Sequence, residues 1–131
     1  MLTESDQVAQ LIDAARSVHG GFSLGGDFSA GTCAAAILSA KGEIFTGICL
    51  DLACGIGFCA EHAAVAQMLK SRQTQITMAV AVTGEKIASP CGRCRELMAQ
   101  IDPRNLDSRI IMDTQKIVTL RALLPDHWLD T

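Results

Sequence analysis

The chain has 131 residues, 49% hydrophobic and 4% aromatic, which is enough for one core and too little for two, so a single domain over residues 1–131 is expected. A formal net charge of −3, with 11 Lys and Arg scattered along the chain, excludes the basic stripe of a nucleic-acid binder. No apolar run reaches the length of a membrane span, and Met1-Leu2-Thr3-Glu4-Ser5-Asp6 has neither the basic nor the apolar part of a secretory leader. The expected setting is cytoplasmic, where thiols stay reduced, so the six cysteines do not read as a disulfide framework. The many small residues point to close helix packing and to stability gained by oligomerisation.

Thr3 or Ser5 can cap a first helix, in which Val8, Leu11, Ile12, Ala15 and Val18 recur at helical spacing and which Gly20-Gly21 ends. Phe22 to Ser29 reads as a Gly-rich loop. Cys33 to Leu38 and Glu43 to Leu50 read as a hairpin around Ala40-Lys41-Gly42, followed by a loop from Asp51 to Phe58. A second helix is expected from Cys59 to about Ser71. Ile76 to Val82 is a continuous apolar run of the kind found in a buried central strand. Pro90 should open a third helix, from Cys91 to Ile101, which Asp102-Pro103 stops. Arg109 to Met112 and Lys116 to Val118 read as short strands. Thr119 caps a last turn from Leu120 to Leu124, before Pro125. The order α-β-β-α-β-α-β-β predicts a mixed sheet with helices on its faces.

The chemistry gathers in two segments, Gly57-Phe58-Cys59-Ala60-Glu61-His62 and Ser89-Pro90-Cys91-Gly92-Arg93-Cys94. Cys59, Cys91 and Cys94 all fall at predicted helix N-termini, where the helix dipole and free amides favour thiolate. Three thiolates can hold zinc and leave a fourth position for water. Glu61 then suits the role of a carboxylate beside the metal that moves protons. Two other readings stand on the residues alone. One is a closed structural zinc site with Cys54 or His62 as fourth ligand, and the other is a redox Cys-x-x-Cys pair. Cys-x-Glu followed by Pro-Cys-x-x-Cys is the signature of zinc deaminases and tilts the balance.

These segments resemble the cytidine deaminase superfamily, in the small three-cysteine branch that contains tetrameric cytidine deaminases and blasticidin S deaminases. Phe28-Ser29 stands where the family has Tyr-Ser, Ala36 to Gly47 is similar to its first hairpin, and Leu123-Leu124-Pro125 to its C-terminal Leu-Leu-Pro. The resemblance implies a three-layer α/β/α sandwich around a five-stranded mixed sheet. It also implies one zinc ion (Zn2+) per chain on Cys59, Cys91 and Cys94, with Glu61 as proton shuttle. By the same resemblance the Ala60 amide holds the base carbonyl and the Ser89 carbonyl faces the departing amine. Phe28 and Trp128 become substrate contacts, Trp128 reaching a neighbouring subunit's site in a homotetramer or dimer.

The chain also departs from that family. The positions that read the ribose, Asn-x-Glu in cytidine deaminases, are Cys49 and Asp51 here, and the aromatic that packs on the base falls at Gly31. Loss of a reader of a substrate hydroxyl costs selectivity. His62 stands where many relatives have Arg, and three thiolates on one Zn2+ leave a net negative charge that weakens its pull on water. Arg93, as in the Cys-Gly-Arg-Cys of a blasticidin S deaminase, is the candidate for compensation, with a solvated helix residue as the plain alternative. Cys33 and Cys49 read as small buried residues in strands, Cys54 as loop lining near the pocket, and His19 and His127 give no signal. The expected function is hydrolytic deamination at C4 of a cytosine-type ring in a free nucleoside or analogue. The alternatives are blasticidin S deamination and a non-catalytic zinc-binding module of the same fold.

Overall fold

The computed structural model describes residues 2–130. Helix α1 spans Glu4–Val18. Thr3 is its cap: the Thr3 hydroxyl accepts from the Asp6 amide at 3.1 Å, and the Asp6 carboxylate accepts from the Thr3 amide at 3.2 Å. Strands β1 (Phe22–Gly25), β2 (Phe28–Ser39) and β3 (Ile44–Asp51) follow, then α2 (Ala60–Lys70), β4 (Ile76–Thr83), β5 (Lys86–Ala88) and α3 (Gly92–Ile101). A 3-10 turn at Pro103–Asp107 leads to β6 (Arg109–Asp113), β7 (Lys116–Thr119) and the short α4 (Leu120–Leu123).

Strands β3, β2, β4, β6 and β7 lie side by side in that order. Only β4 and β6 pair in parallel, so the sheet is mixed, with α3 inside the parallel crossover. Strand alternation splits the core between two faces. On one, Leu11, Ile12 and Ala15 of α1 pack on Ala34, Ala36, Met78, Val80 and Ile111. On the other, Val65 and Met68 of α2 and Met98 of α3 pack on Ile37, Ala79 and Ile110. The result is a three-layer α/β/α arrangement. Each fully buried Leu, Ile or Met among these contributes about 2 kcal/mol.

Two strands escape the sequence reading and make the sheet seven-stranded. Phe22 to Ser29, expected as a loop, is a hairpin in which β1 pairs with the start of β2. All four residues of β1 are exposed, so no alternation marks it. The three-residue β5 extends the edge of β4 from Ala81 to Thr83, where the pairing with β6 has ended. Pro90 precedes α3 rather than lying in its first turn. Cys91 is the N-cap, extended at φ −68° and ψ 166°.

Two features of the fold set the position of α2 and its first residues. Gly47 of β3 lies directly under α2: a Cβ there would be 2.4 Å from the Ala64 nitrogen and 2.6 Å from the Ala60 oxygen. Only glycine lets the helix sit so close. The loop after β3 is folded back by paired backbone bonds between Leu50 and Phe58, at 2.9 and 3.0 Å, which deliver Cys59 to the helix start. Farther on, the fully buried Asn105 ties β4 to α3. Its side chain accepts from the Ile76 amide at 2.7 Å and donates to the Thr74 and Met98 carbonyls at 3.0 and 2.9 Å.

Candidate active site

The N-termini of α2 and α3 converge. Cys59 and Cys91 are the two N-caps, and their sulphurs lie 3.4 Å apart. Cys94, in the first turn of α3, completes a cluster in which all three sulphurs lie within 4.8 Å of one another. Cys91 Sγ accepts from the Cys94 amide at 3.4 Å, a capping bond made by sulphur. Cys59 makes no such bond and leaves the amides of α2's first turn uncapped. Neither Cys54 nor His62 joins the cluster among the described residues. Cys54 is exposed, with φ at +61°. His62 stacks on Phe58, ring centroids 5.0 Å apart, and its Nδ1 is buried without a partner.

A cavity of about 510 Å³ opens beside the cluster. Cys59, Ala60, Glu61, Ser89, Cys91 and Arg93 form its metal-side wall, while Cys94 is buried beneath. Glu61 is 5% exposed, and burial raises its carboxyl above the ordinary range. Burial likewise pushes up the Cys59 and Cys94 thiols, helped at Cys59 by the hydrogen bond with Cys91 and at Cys94 by the nearby Glu61 charge. Burial also acts to raise Cys91, but the Cys94 amide and the neighbouring thiols outweigh it and hold that thiol below its ordinary value. Three thiols and a carboxylate thus compete for protons in one spot, and a cation shared among the sulphurs would relieve the conflict. Soft thiolate donors at this spacing suit zinc.

Cys49 and Asp51, from the end of β3, also line the cavity. Cys33, read from sequence as a plain strand residue, lines it too. Burial, then the Glu61 charge and nearby thiols, pushes Cys33 up to about 12. Cys54, expected near the pocket, is not part of the lining. Phe28 and Trp128 lie outside the lining in the single chain, 44% and 60% exposed. Trp128 Nε1 donates to Glu96 Oε2 at 3.1 Å, and His127 Nε2 lies 2.8 Å from Glu96 Oε1. Gly31 carries no wall: it is a bulge residue at φ +84°, and a Cβ there would lie 2.2 Å from the Gly20 oxygen.

Two residues escaped sequence reasoning. Thr32 enters the cavity because of that bulge, and no local motif announces it. Arg95 braces the turn before Cys91. Its guanidinium donates to the Pro90 carbonyl at 2.7 Å, the Ser89 hydroxyl at 2.9 Å and the Leu123 carbonyl at 3.2 Å. Its place directly after Cys94 was the available signal.

Residues 11–107 match the family described as the cytidine and deoxycytidylate deaminase zinc-binding region. Among solved structures, cytidine deaminase from Mycobacterium tuberculosis is 25% identical with a TM-score of 0.77, over 92% of this chain and 96% of that one. The enzyme from Mycobacterium leprae is 23% identical with a TM-score of 0.76, over 91% and 98%. That from Bacillus anthracis is 22% identical at 0.71, over 93% and 89%. The last two speak to the fold alone. Because the family match runs from α1 to the turn after α3 and takes in the three clustered cysteines and Glu61, this chain belongs to the cytidine and deoxycytidylate deaminase family, with its zinc-binding deaminase fold.

Proposed function

We propose that the protein is a zinc-dependent hydrolase that releases ammonia from C4 of a cytosine-type ring in a free nucleoside or nucleoside analogue. The observation that carries this reading is the three-sulphur cluster with a buried carboxylate, Glu61, in the same cavity. Cys59, Cys91 and Cys94 would hold one zinc per chain and leave a position open. Bound there, zinc supplies the Lewis acidity that brings the pKa of a water to about 7.

Glu61 moves the protons. The reaction forms a bond from water oxygen to C4, breaks the C4–N4 bond, and needs one proton on ring N3 and another on the leaving amine. Glu61 takes the water's proton, passes it to N3, and then carries the second proton to the amine, which leaves as ammonia. A carboxyl raised by burial both accepts and returns protons more readily near neutrality than an exposed one. The Ala60 amide, in the uncapped first turn of α2, is free to donate to the ring carbonyl. The Ser89 carbonyl, on the turn braced by Arg95, would face the amine. Arg93 lines the cavity beside Cys91 and offsets the surplus negative charge of three thiolates.

Trp128 would reach substrate from a neighbouring subunit, so its role goes with a homotetramer or dimer, and Phe28 would contact substrate from the start of β2. The exposed side chains of Phe22, Leu24, Phe28 and Ile56 support such assembly. Among the described residues no helix is long and apolar enough to cross a membrane, and a cytoplasmic, small-molecule enzyme is compatible with the net charge of −3. A second reading, deamination of blasticidin S, is favoured by Cys49 standing in place of a ribose reader. A non-catalytic zinc module is opposed by the retained Glu61.

The test is to measure zinc per chain and then ammonia release from cytidine, deoxycytidine, cytosine and blasticidin S. About one zinc per chain with release from a nucleoside is expected. A metal-free protein purified and refolded with zinc that still binds none would sink the reading, whereas zinc without ammonia from any of the four would support the binding-module alternative.

A further inference from the structure

The strand-built part of the cavity wall is made by an irregularity in β2. Between the pairs Ala30–Leu50 and Ala34–Ile48, β2 carries residues 31 to 33 opposite Cys49 alone. Gly31 supplies the left-handed backbone that this bulge needs. The bulge sets Thr32 and Cys33 into the cavity lining beside Cys49 and Asp51.

Hydrogen bonds on this wall run in one direction. The Cys33 amide donates to Cys49 Sγ at 3.2 Å. Thr32 Oγ1 lies 3.2 Å from Cys49 Sγ and donates to Asp51 Oδ2 at 3.3 Å. Ser29 Oγ donates to the same Oδ2 at 3.5 Å. A hydroxyl has one proton and an ionised carboxylate only accepts, so the Thr32 proton goes to Asp51, and the Cys49 S–H goes to the Thr32 oxygen at 3.2 Å or to Asp51 Oδ2 at 3.8 Å. Both capacities of the Cys49 sulphur are then used within the protein. Asp51 keeps Oδ1, which makes no hydrogen bond among the described residues. The one basic side chain of the lining is Arg93, on α3 beside Cys91.

We propose that Thr32 is a positioning residue for substrate choice. It closes Cys49 off from substrate and holds Asp51 so that a single carboxylate oxygen accepts a hydrogen bond from the sugar-side group. The wall thereby selects a neutral, hydroxylated nucleoside over a nucleotide. This rests on the deaminase reading above, with Asp51 as a substrate contact. A phosphate placed on this side would meet a carboxylate and no cation, which is rejection by charge rather than by size.

The experiment measures dissociation constants on zinc-loaded Glu61→Gln protein, in which bound ligand is not consumed. The probes are cytidine, 1-methylcytosine (the ring without the sugar) and cytidine 5′-monophosphate. Thr32→Val should weaken cytidine by about fivefold or more and 1-methylcytosine by less than about twofold, and Thr32→Ser should restore cytidine. The monophosphate should bind about tenfold more weakly than cytidine, and Asp51→Asn should narrow that gap to about threefold. Equal losses of cytidine and 1-methylcytosine in Thr32→Val, or no rescue by Thr32→Ser, would overturn the positioning role. A monophosphate that binds as well as cytidine, or cytidine that binds no better than 1-methylcytosine, would overturn the wall's part in selection. Absence of ammonia release by the wild-type protein, with the binding pattern intact, would instead sink the deaminase reading alone.

Discussion

Helix ends build one side of the cavity and a strand irregularity builds the other. On the first side, Cys59, Glu61, Cys91 and Cys94 occupy the N-caps and first turns of α2 and α3, where backbone geometry fixes short side chains within reach of one another. On the second, Thr32, Cys49 and Asp51 meet because a glycine bulge shifts the register of β2 against β3. The first side gathers groups that compete for protons, whereas the second hands protons along to one acceptor. On the proposed function, reaction and recognition would be separable: one would depend on where helices begin, the other on how two strands are aligned.

Glu61→Ala should have the largest effect on the helix-end side. It should lower kcat by about a thousandfold, as expected for loss of a proton shuttle. Zinc content, measured by atomic absorption, should stay near that of the parent, and a variant that loses the metal would show Glu61 to be structural. Gly31→Ala attacks the other side. The added Cβ meets the Gly20 oxygen at 2.2 Å in a left-handed backbone, so the unfolding free energy should fall by about 2 kcal/mol. Cytidine affinity should drop while zinc is retained. An unchanged denaturant midpoint would mean the bulge relaxes without cost.

Arg93→Gln is a finer probe of the metal side. If its guanidinium offsets the thiolates, turnover should fall about tenfold with KM little changed. Identical kcat and zinc affinity would return Arg93 to a solvated surface role. Acidity separates the two sides most gently. Glu61 must be ionised to take the water's proton, and burial raises its pKa. Activity should therefore be lost as pH falls through a midpoint above the ordinary carboxylate range, under conditions where circular dichroism shows the fold intact. A midpoint at or below that range would mean that Glu61 is not sensed as a buried base.

The two sides also differ in how far the sequence reveals them. Cys-x-Glu and Pro-Cys-x-x-Cys are short-range patterns, and helix starts bring such residues together whatever the distant packing. The core strand Ile76–Thr83 is marked by its continuous apolar run, α1 by helical periodicity and the β2–β3 hairpin by two apolar runs around a turn, and tertiary contacts reinforce each. The bulge has no such signal: whether Gly31 marks a missing wall or a register shift depends on Gly20, which approaches only in the folded chain. For the same reason Thr32 was invisible and Cys33 looked like filler. The exposed β1 and the three-residue β5 lack the length and alternation by which a strand announces itself.

One consequence lies in helix α3, which is mounted at both ends of its first turns. Cys91 and Cys94 face the cluster, while Glu96 on the same helix holds His127 and Trp128. Trp128 is the sole tryptophan in the chain. Its indole is therefore a built-in optical reporter for α3. Metal loading that tightens the helix start should change the emission of this one fluorophore, so occupancy can be followed by light in the unlabelled protein without any substrate.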